Sequence, residues 1–192
     1  DQICFRQMDS VFAVQCKDCV LVACDSFAIT SIFKLKENED KIVEIDDDKL
    51  LALAGEAPER AQFGDFIQKN MHLQKYKNGN KLTVKEAANW MRSEQAYYLR
   101  KEPFYVNSLL AGYDEEGPAL YWLDYLASCQ QVTRGAHGYA AYFVNSILDN
   151  MWKKDMTEEE GIELIKYCIN ELNKRFLLSQ NKFIVKKASK SG

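Results

Sequence analysis

Val11-Phe12-Ala13-Val14-Gln15-Cys16-Lys17-Asp18-Cys19-Val20-Leu21-Val22-Ala23-Cys24-Asp25 is the stretch that decides the fold class of this chain. Its two short apolar runs, Val11 to Cys16 and Val20 to Asp25, are rich in β-branched and aromatic residues and are parted by the polar pair Lys17-Asp18. Runs of that length on either side of a polar break predict an antiparallel hairpin. Working outward, Ile42 to Ile45 and Leu50 to Ala54 repeat the pattern around Asp46-Asp47-Asp48, and Gly55 closes the section. Tyr105 to Tyr113 and Leu120 to Tyr125 make a further pair, predicted to be joined through Asp114 to Pro118 by a longer loop than the first. A last strand is predicted over about Phe183 to Ala188.

Between these pairs the apolar period changes to that of a helix. From Pro58, well placed in a first turn, Ala61, Phe66, Ile67 and Leu73 give one loosely apolar face that ends before Lys77-Asn78-Gly79-Asn80. Thr83 with Glu86 is a capping box ahead of Ala87, Ala88, Met91, Gln95 and Tyr98, and Pro103 limits that helix. Later, Tyr139, Tyr142, Phe143, Ser146, Ile147 and Asn150 trace one helical face. A second capping box, Thr157 with Glu160, precedes Ile162, Ile165, Cys168, Ile169, Leu172 and Phe176. Strands that arrive in hairpins, not singly between helices, argue against a doubly wound nucleotide fold. Two antiparallel sheets packed face to face between paired helices satisfy these patterns, so the expected class is α+β, a four-layer αββα sandwich. No linker rich in Pro or Gly divides the chain, and a single domain over 1–192 is expected.

A chain of 192 residues is long enough to bury its own core. Apolar residues at 47% and charged residues at 28% exclude a disordered or fibrous class. The longest apolar runs, such as Val20 to Cys24, fall far short of the roughly 20 residues a bilayer requires. Asp1 to Gln7 lacks the basic start and apolar run of a secretory signal. A net charge of -3 argues against a nucleic-acid surface, and the lysines between Lys182 and Lys190 fit a solvated strand and tail. The cysteines, at 4, 16, 19, 24, 129 and 168, sit mostly in apolar segments and are expected to be free, buried thiols of a reducing compartment.

Neither a metal nor a cofactor is expected. Cys16-x-x-Cys19 has no second pair and no histidine near it in sequence, so it reads as part of the hairpin. No glycine spacing fits a phosphate or dinucleotide loop, and Gly135-Ala136-His137-Gly138 is expected to be no more than a turn before a helix. His137 and His72 are read as structural. Asp25 ends one apolar strand, Lys41 opens another and Gly55 ends a third. A buried Asp and Lys at strand ends either create a base or only fix packing, and composition leaves both open.

Several strings together resemble the proteasome beta subunits, and more narrowly the eukaryotic beta-4 (beta type-2) kind. They are Val22-Ala23-Cys24-Asp25-Ser26, Asp40-Lys41-Ile42, Leu53-Ala54-Gly55-Glu56-Ala57, Leu110 through Tyr121 and Ala136-His137-Gly138-Tyr139. The resemblance runs from about Met8 to Ala188. It implies the N-terminal nucleophile hydrolase fold. Catalytic members of that family use a threonine freed by cleavage after a glycine, a strand-end aspartate, a lysine, and a glycine whose N–H helps build the oxyanion hole. A hydroxyl beside its own free amine has a proton acceptor at hand. By this resemblance Asp25 matches the aspartate, Lys41 the lysine and Gly55 the glycine. The nucleophile position falls on Asp9, preceded by Met8. The family serine aligns with Gly138 and the late aspartate with Phe176, while Ser179 keeps the last serine.

What the resemblance implies is a structural subunit, not itself an enzyme, in the beta ring of the core particle that degrades unfolded or ubiquitin-tagged proteins. Its implied partners are other beta subunits on both sides in a seven-membered ring, the opposing beta ring and alpha-ring subunits, in cytoplasm and nucleus, with no nucleic acid and no membrane. Residues 1–8 would be a short extension and 189–192 a tail. Trp90, Tyr97, Trp122 and Trp152 are expected as exposed aromatics available for contacts. Two rival readings stand beside it. One is an atypical N-terminal nucleophile hydrolase using Cys4 or Ser10, and the other is a free-standing sandwich that binds a protein partner.

Overall fold

In the computed structural model, which describes residues 9–30, 33–176, 180 and 182–190, the opening stretch is the expected hairpin. Strands β1 (Ser10–Gln15) and β2 (Cys19–Asp25) run antiparallel with Val11 opposite Cys24 and Val14 opposite Leu21. The Cys16 N–H donates to the Cys19 carbonyl at 2.8 Å and closes the turn. Nearly every residue of both strands is buried, because both faces of the hairpin are covered. A small two-stranded sheet follows, β3 (Ala28–Thr30) with β4 (Phe33–Lys36), and then the hairpin β5 (Ile42–Asp46) and β6 (Lys49–Ala54). Helices α1 (Ala57–Asn78) and α2 (Val84–Tyr98) come next, then β7 (Asn107–Asp114), β8 (Gly117–Leu123), β9 (Cys129–Val132) and β10 (Arg134–Gly138). Helices α3 (Ala140–Met151) and α4 (Glu158–Arg175) lead to β11 (Phe183–Ser189).

The two larger sheets have the orders β10-β1-β2-β11 and β5-β6-β7-β8-β9. Alternation along each strand divides the core into three apolar layers. Val11, Ala13, Val20 and Val22 meet Leu50, Ala52, Leu109, Ala111 and Leu120 between the sheets. Phe12, Val14, Leu21 and Ala23 face Val144, Leu148, Ile165 and Leu172 of α3 and α4. Leu51, Leu53 and Leu110 face Phe63, Ile67, Ala87 and Met91 of α1 and α2. Each fully buried large apolar side chain contributes about 1.5–3 kcal/mol. This is the α+β sandwich of paired helices around antiparallel sheets. Both capping boxes form in full, Thr83 with Glu86 and Thr157 with Glu160.

Several details depart from the sequence reading. The loop between β7 and β8 is not long, for only Glu115 and Glu116 separate Asp114 from its strand partner Gly117. The Asp114 carboxylate accepts from the Glu116 N–H at 2.9 Å, and Gly117 takes a φ of 103°, a conformation that favours glycine and tightens the turn. Gly135-Ala136-His137-Gly138 is not a turn before a helix but most of β10, which pairs along β1. The stripes that pack on the sheets are Phe63, Ile67 and Met71 in α1 and Ala140, Val144 and Leu148 in α3, each four residues apart. Leu73, Tyr142, Ser146 and Asn150 point to solvent instead. The aromatic surface is also smaller than expected. Trp90 stacks on Phe66, Trp122 stacks on His137 and the Trp152 indole donates to the Gln15 carbonyl, leaving Tyr97, 58% exposed, as the exposed one of the four.

Candidate functional site

Asp9 stands just ahead of β1, Asp25 ends β2, Lys41 precedes β5 and Gly55 lies between β6 and α1. Four separate places in the sequence therefore arrive at one end of the sandwich. There the Lys41 ammonium donates to Asp9 Oδ1 at 2.5 Å and to Asp25 Oδ2 at 2.8 Å. The Gly55 N–H donates to Asp9 Oδ2 at 2.9 Å. Asp25 is held from its own sheet as well, accepting from the Ser10 N–H at 2.7 Å and the Phe27 N–H at 3.2 Å.

Two members of the cluster were absent from the sequence reading. Arg60, in the first turn of α1, donates through Nη1 to Asp9 Oδ2 at 2.7 Å and to the Gly55 carbonyl at 2.6 Å, and through Nη2 to Glu39. A cation in the first turn of a helix runs against the macrodipole, and this was the signal available. It is tolerated here because two carboxylates surround it.

The electrostatics follow from burial. Lys41 is 2% exposed and Asp25 is fully buried. Burial pushes the Asp25 carboxyl above its ordinary value, against the pull of the Lys41 charge, and the neighbouring Asp9 carboxylate adds to the rise. Carboxylates only accept and ammonium or guanidinium groups only donate, so every contact in the cluster has a matched sense. Breaking such a buried set by deleting one partner costs about 3–5 kcal/mol, because it strands a charge away from water.

The remaining sequence-derived positions divide. Gly138 sits directly against Asp9 with a φ of 71°, and a Cβ there would collide with the Asp9 carbonyl oxygen, so the position rejects any side chain. The next residue, Tyr139, donates its N–H to the same oxygen at 3.2 Å. Phe176 ends α4, with its ring 5.6 Å from that of Tyr139 and 6.2 Å from that of Phe143. It is thus part of an aromatic cluster beside the site and brings no charge to it. Ser10 is buried, its hydroxyl making no hydrogen bond among the described residues. Ser179, Met8 and Cys4 lie outside the described residues. His137 is next to Gly138 in β10, but among the described residues its side chain makes no hydrogen bond to the cluster. It packs between the sheets, with Nε2 at 3.0 Å from the Ser108 carbonyl, and burial lowers its pKa to about 4.

A family model described as "Proteasome subunit" matches residues 7–188. The chain belongs to the proteasome subunit family. Several of its relatives in that family are of beta type. A protein of Oryza sativa subsp. japonica named "Proteasome subunit beta type-2" is 41% identical over 96% of this chain and 88% of its own length. "Proteasome subunit beta type-2-A" of Arabidopsis thaliana is 44% identical over 96% of this chain and 91% of its own. "Proteasome subunit beta type-4" of Saccharomyces cerevisiae is 35% identical over 96% and 95%. These matches correct one expectation. By the resemblance, the absent threonine implies a chain that is not an enzyme, and near-full-length kinship with beta type-2 subunits overturns that as a flat exclusion. The physical reason is that a missing hydroxyl at position 9 removes one nucleophile at one place. It does not fix the catalytic status of a member of this proteasome family.

Proposed function

We propose that this chain is a single-domain subunit of the beta ring of a proteasome core particle, of the beta-4 (beta type-2) kind, and that its part there is to build the ring and the wall of the degradative chamber. Its neighbours would be other beta subunits on either side in a seven-membered ring, the opposing beta ring and alpha subunits, in cytoplasm and nucleus, in the service of degrading unfolded or ubiquitin-tagged proteins. The observation that carries this reading is the Asp9 cluster. Lys41, Gly55 and Arg60 all donate to one carboxylate, and together with Asp25 they tie the strand ends of both sheets to the start of α1. In this reading Asp25, Lys41 and Gly55 keep the frame of the family site and Gly138 seats the Asp9 backbone. Phe176 contributes packing at its edge, and Ser179 belongs to the same inherited set.

The test is the native mass of the chain in cell extract, with and without the substitution Asp9→Ala. The expected result is recovery in a large particle with other beta and alpha subunits, and reduced incorporation of the variant. A stable species near 22.1 kDa, the mass of the chain alone, would sink the reading. Cleavage of a panel of fluorogenic peptides by native and Asp9→Ala particles, compared at equal particle concentration, measures what position 9 does for hydrolysis.

A further inference from the structure

The Asp9 side chain is met by groups that do not depend on it for their positions. Lys41 is also held by Asp25, Arg60 is also held by the Gly55 carbonyl and Glu39, and the Gly55 backbone is confined, since a Cβ there would come within 3.0 Å of the Tyr105 carbonyl. An ammonium, a guanidinium and a backbone N–H at the entrance to α1 thus converge on one point, and a helix N-terminus adds to their attraction for an anion. Without Asp9, two cations remain against two carboxylates, Asp25 and Glu39. That set is neutral, so what favours a further carboxylate there is the convergence of the Lys41, Arg60 and Gly55 donors with the helix N-terminus, the arrangement in which the native chain already holds Asp9.

We propose that this hollow is a carboxylate-binding site which the chain fills with its own residue, and that it takes a small free monocarboxylate once the Asp9 side chain is removed. The side chain of aspartate beyond Cα is a methylene and a carboxylate, so the space left by a glycine at position 9 has the shape of acetate. Formate fits the same donors with one carbon fewer, whereas a branched carboxylate such as pivalate exceeds the space. The site is read from the full chain by itself and does not rest on the ring assignment, so either statement can fail without the other.

The experiment measures melting midpoints of the full chain with Asp9→Gly, in acetate and in chloride at equal ionic strength. Native chain, pivalate and the double variant Asp9→Gly with Arg60→Met serve as comparisons. The expected result is a saturable rise of about 3–6 °C for Asp9→Gly in acetate. The native chain and pivalate should give none, and the double variant a much smaller rise. A rise of equal size in all proteins, or no saturable rise in Asp9→Gly, overturns the proposal. Should Asp9→Gly fail to fold in chloride, the fraction refolded from urea in acetate against chloride becomes the readout. Equal fractions then overturn it.

Discussion

Lys41 donates to two carboxylates from a place that water does not reach, so its removal leaves Asp9 and Asp25 facing each other without a cation between them. Lys41→Met is expected to lower the free energy of unfolding by about 3–5 kcal/mol. Lys186 pairs with Asp40 and Glu44 near the surface, and the matching change there is expected to cost about 0–1 kcal/mol. Urea titrations of the two variants compare them directly, and equal costs would count against a buried network. At this scale the sequence was partly legible. Asp25, Lys41 and Gly55 stood out because each marks a strand end, and the resemblance to a family brought Asp9 to the same place. Glu39 and Arg60 were missed because neither ends a strand, and an arginine in a first helical turn explains itself only when the carboxylates around it are seen.

Among the elements, helix starts were the most legible feature because a capping box is local chemistry written within four residues. Thr83 accepts from the Glu86 N–H at 3.2 Å and Thr157 from the Glu160 N–H at 3.3 Å. Each Thr→Ala change is expected to cost about 1 kcal/mol. Because α2 packs on one sheet and α4 on the other, the double variant should cost the sum within about 0.5 kcal/mol. Urea unfolding of both single variants and the double checks this, and a marked departure from the sum would mean that the outer layers are coupled. Strands β9 and β10 were not legible. Gln130 and Gln131 carry no apolar alternation and Gly135 and Gly138 read as a turn, so pairing with distant strands decides their form. The buried face of α3 differs from the one its sequence predicts because Tyr142, apolar by type, keeps its ring in solvent.

For the whole molecule, the layering followed from hairpins alternating with helix pairs, but the contents of the seam between the sheets did not. His137 of β10 crosses that seam, stacking on Trp122 of β8 with ring centroids 4.7 Å apart and reaching the Ser108 carbonyl of β7. Burial holds its pKa at about 4 against an ordinary 6.5, so on acidification the unfolded chain takes up the proton first. The stability it contributes is full above pH 6.5 and is lost as pH falls from there through 4, by about 3 kcal/mol in all. The native chain should therefore lose its advantage over His137→Gln across that window. Urea unfolding of both at pH 7.5, 5.5 and 4 measures it, and a difference that stays constant with pH would exclude His137 as the source.

The two sheets are joined by unlike means at their two ends. Strand β9 belongs to one sheet and β10 to the other, with only Thr133 between them, and the Gln15 N–H fastens that corner by donating to the Thr133 carbonyl at 2.8 Å. The other end is held by Asp9 and its charged partners. The sandwich is thus a clamshell with a one-residue hinge at Thr133 and an ionic latch at Asp9.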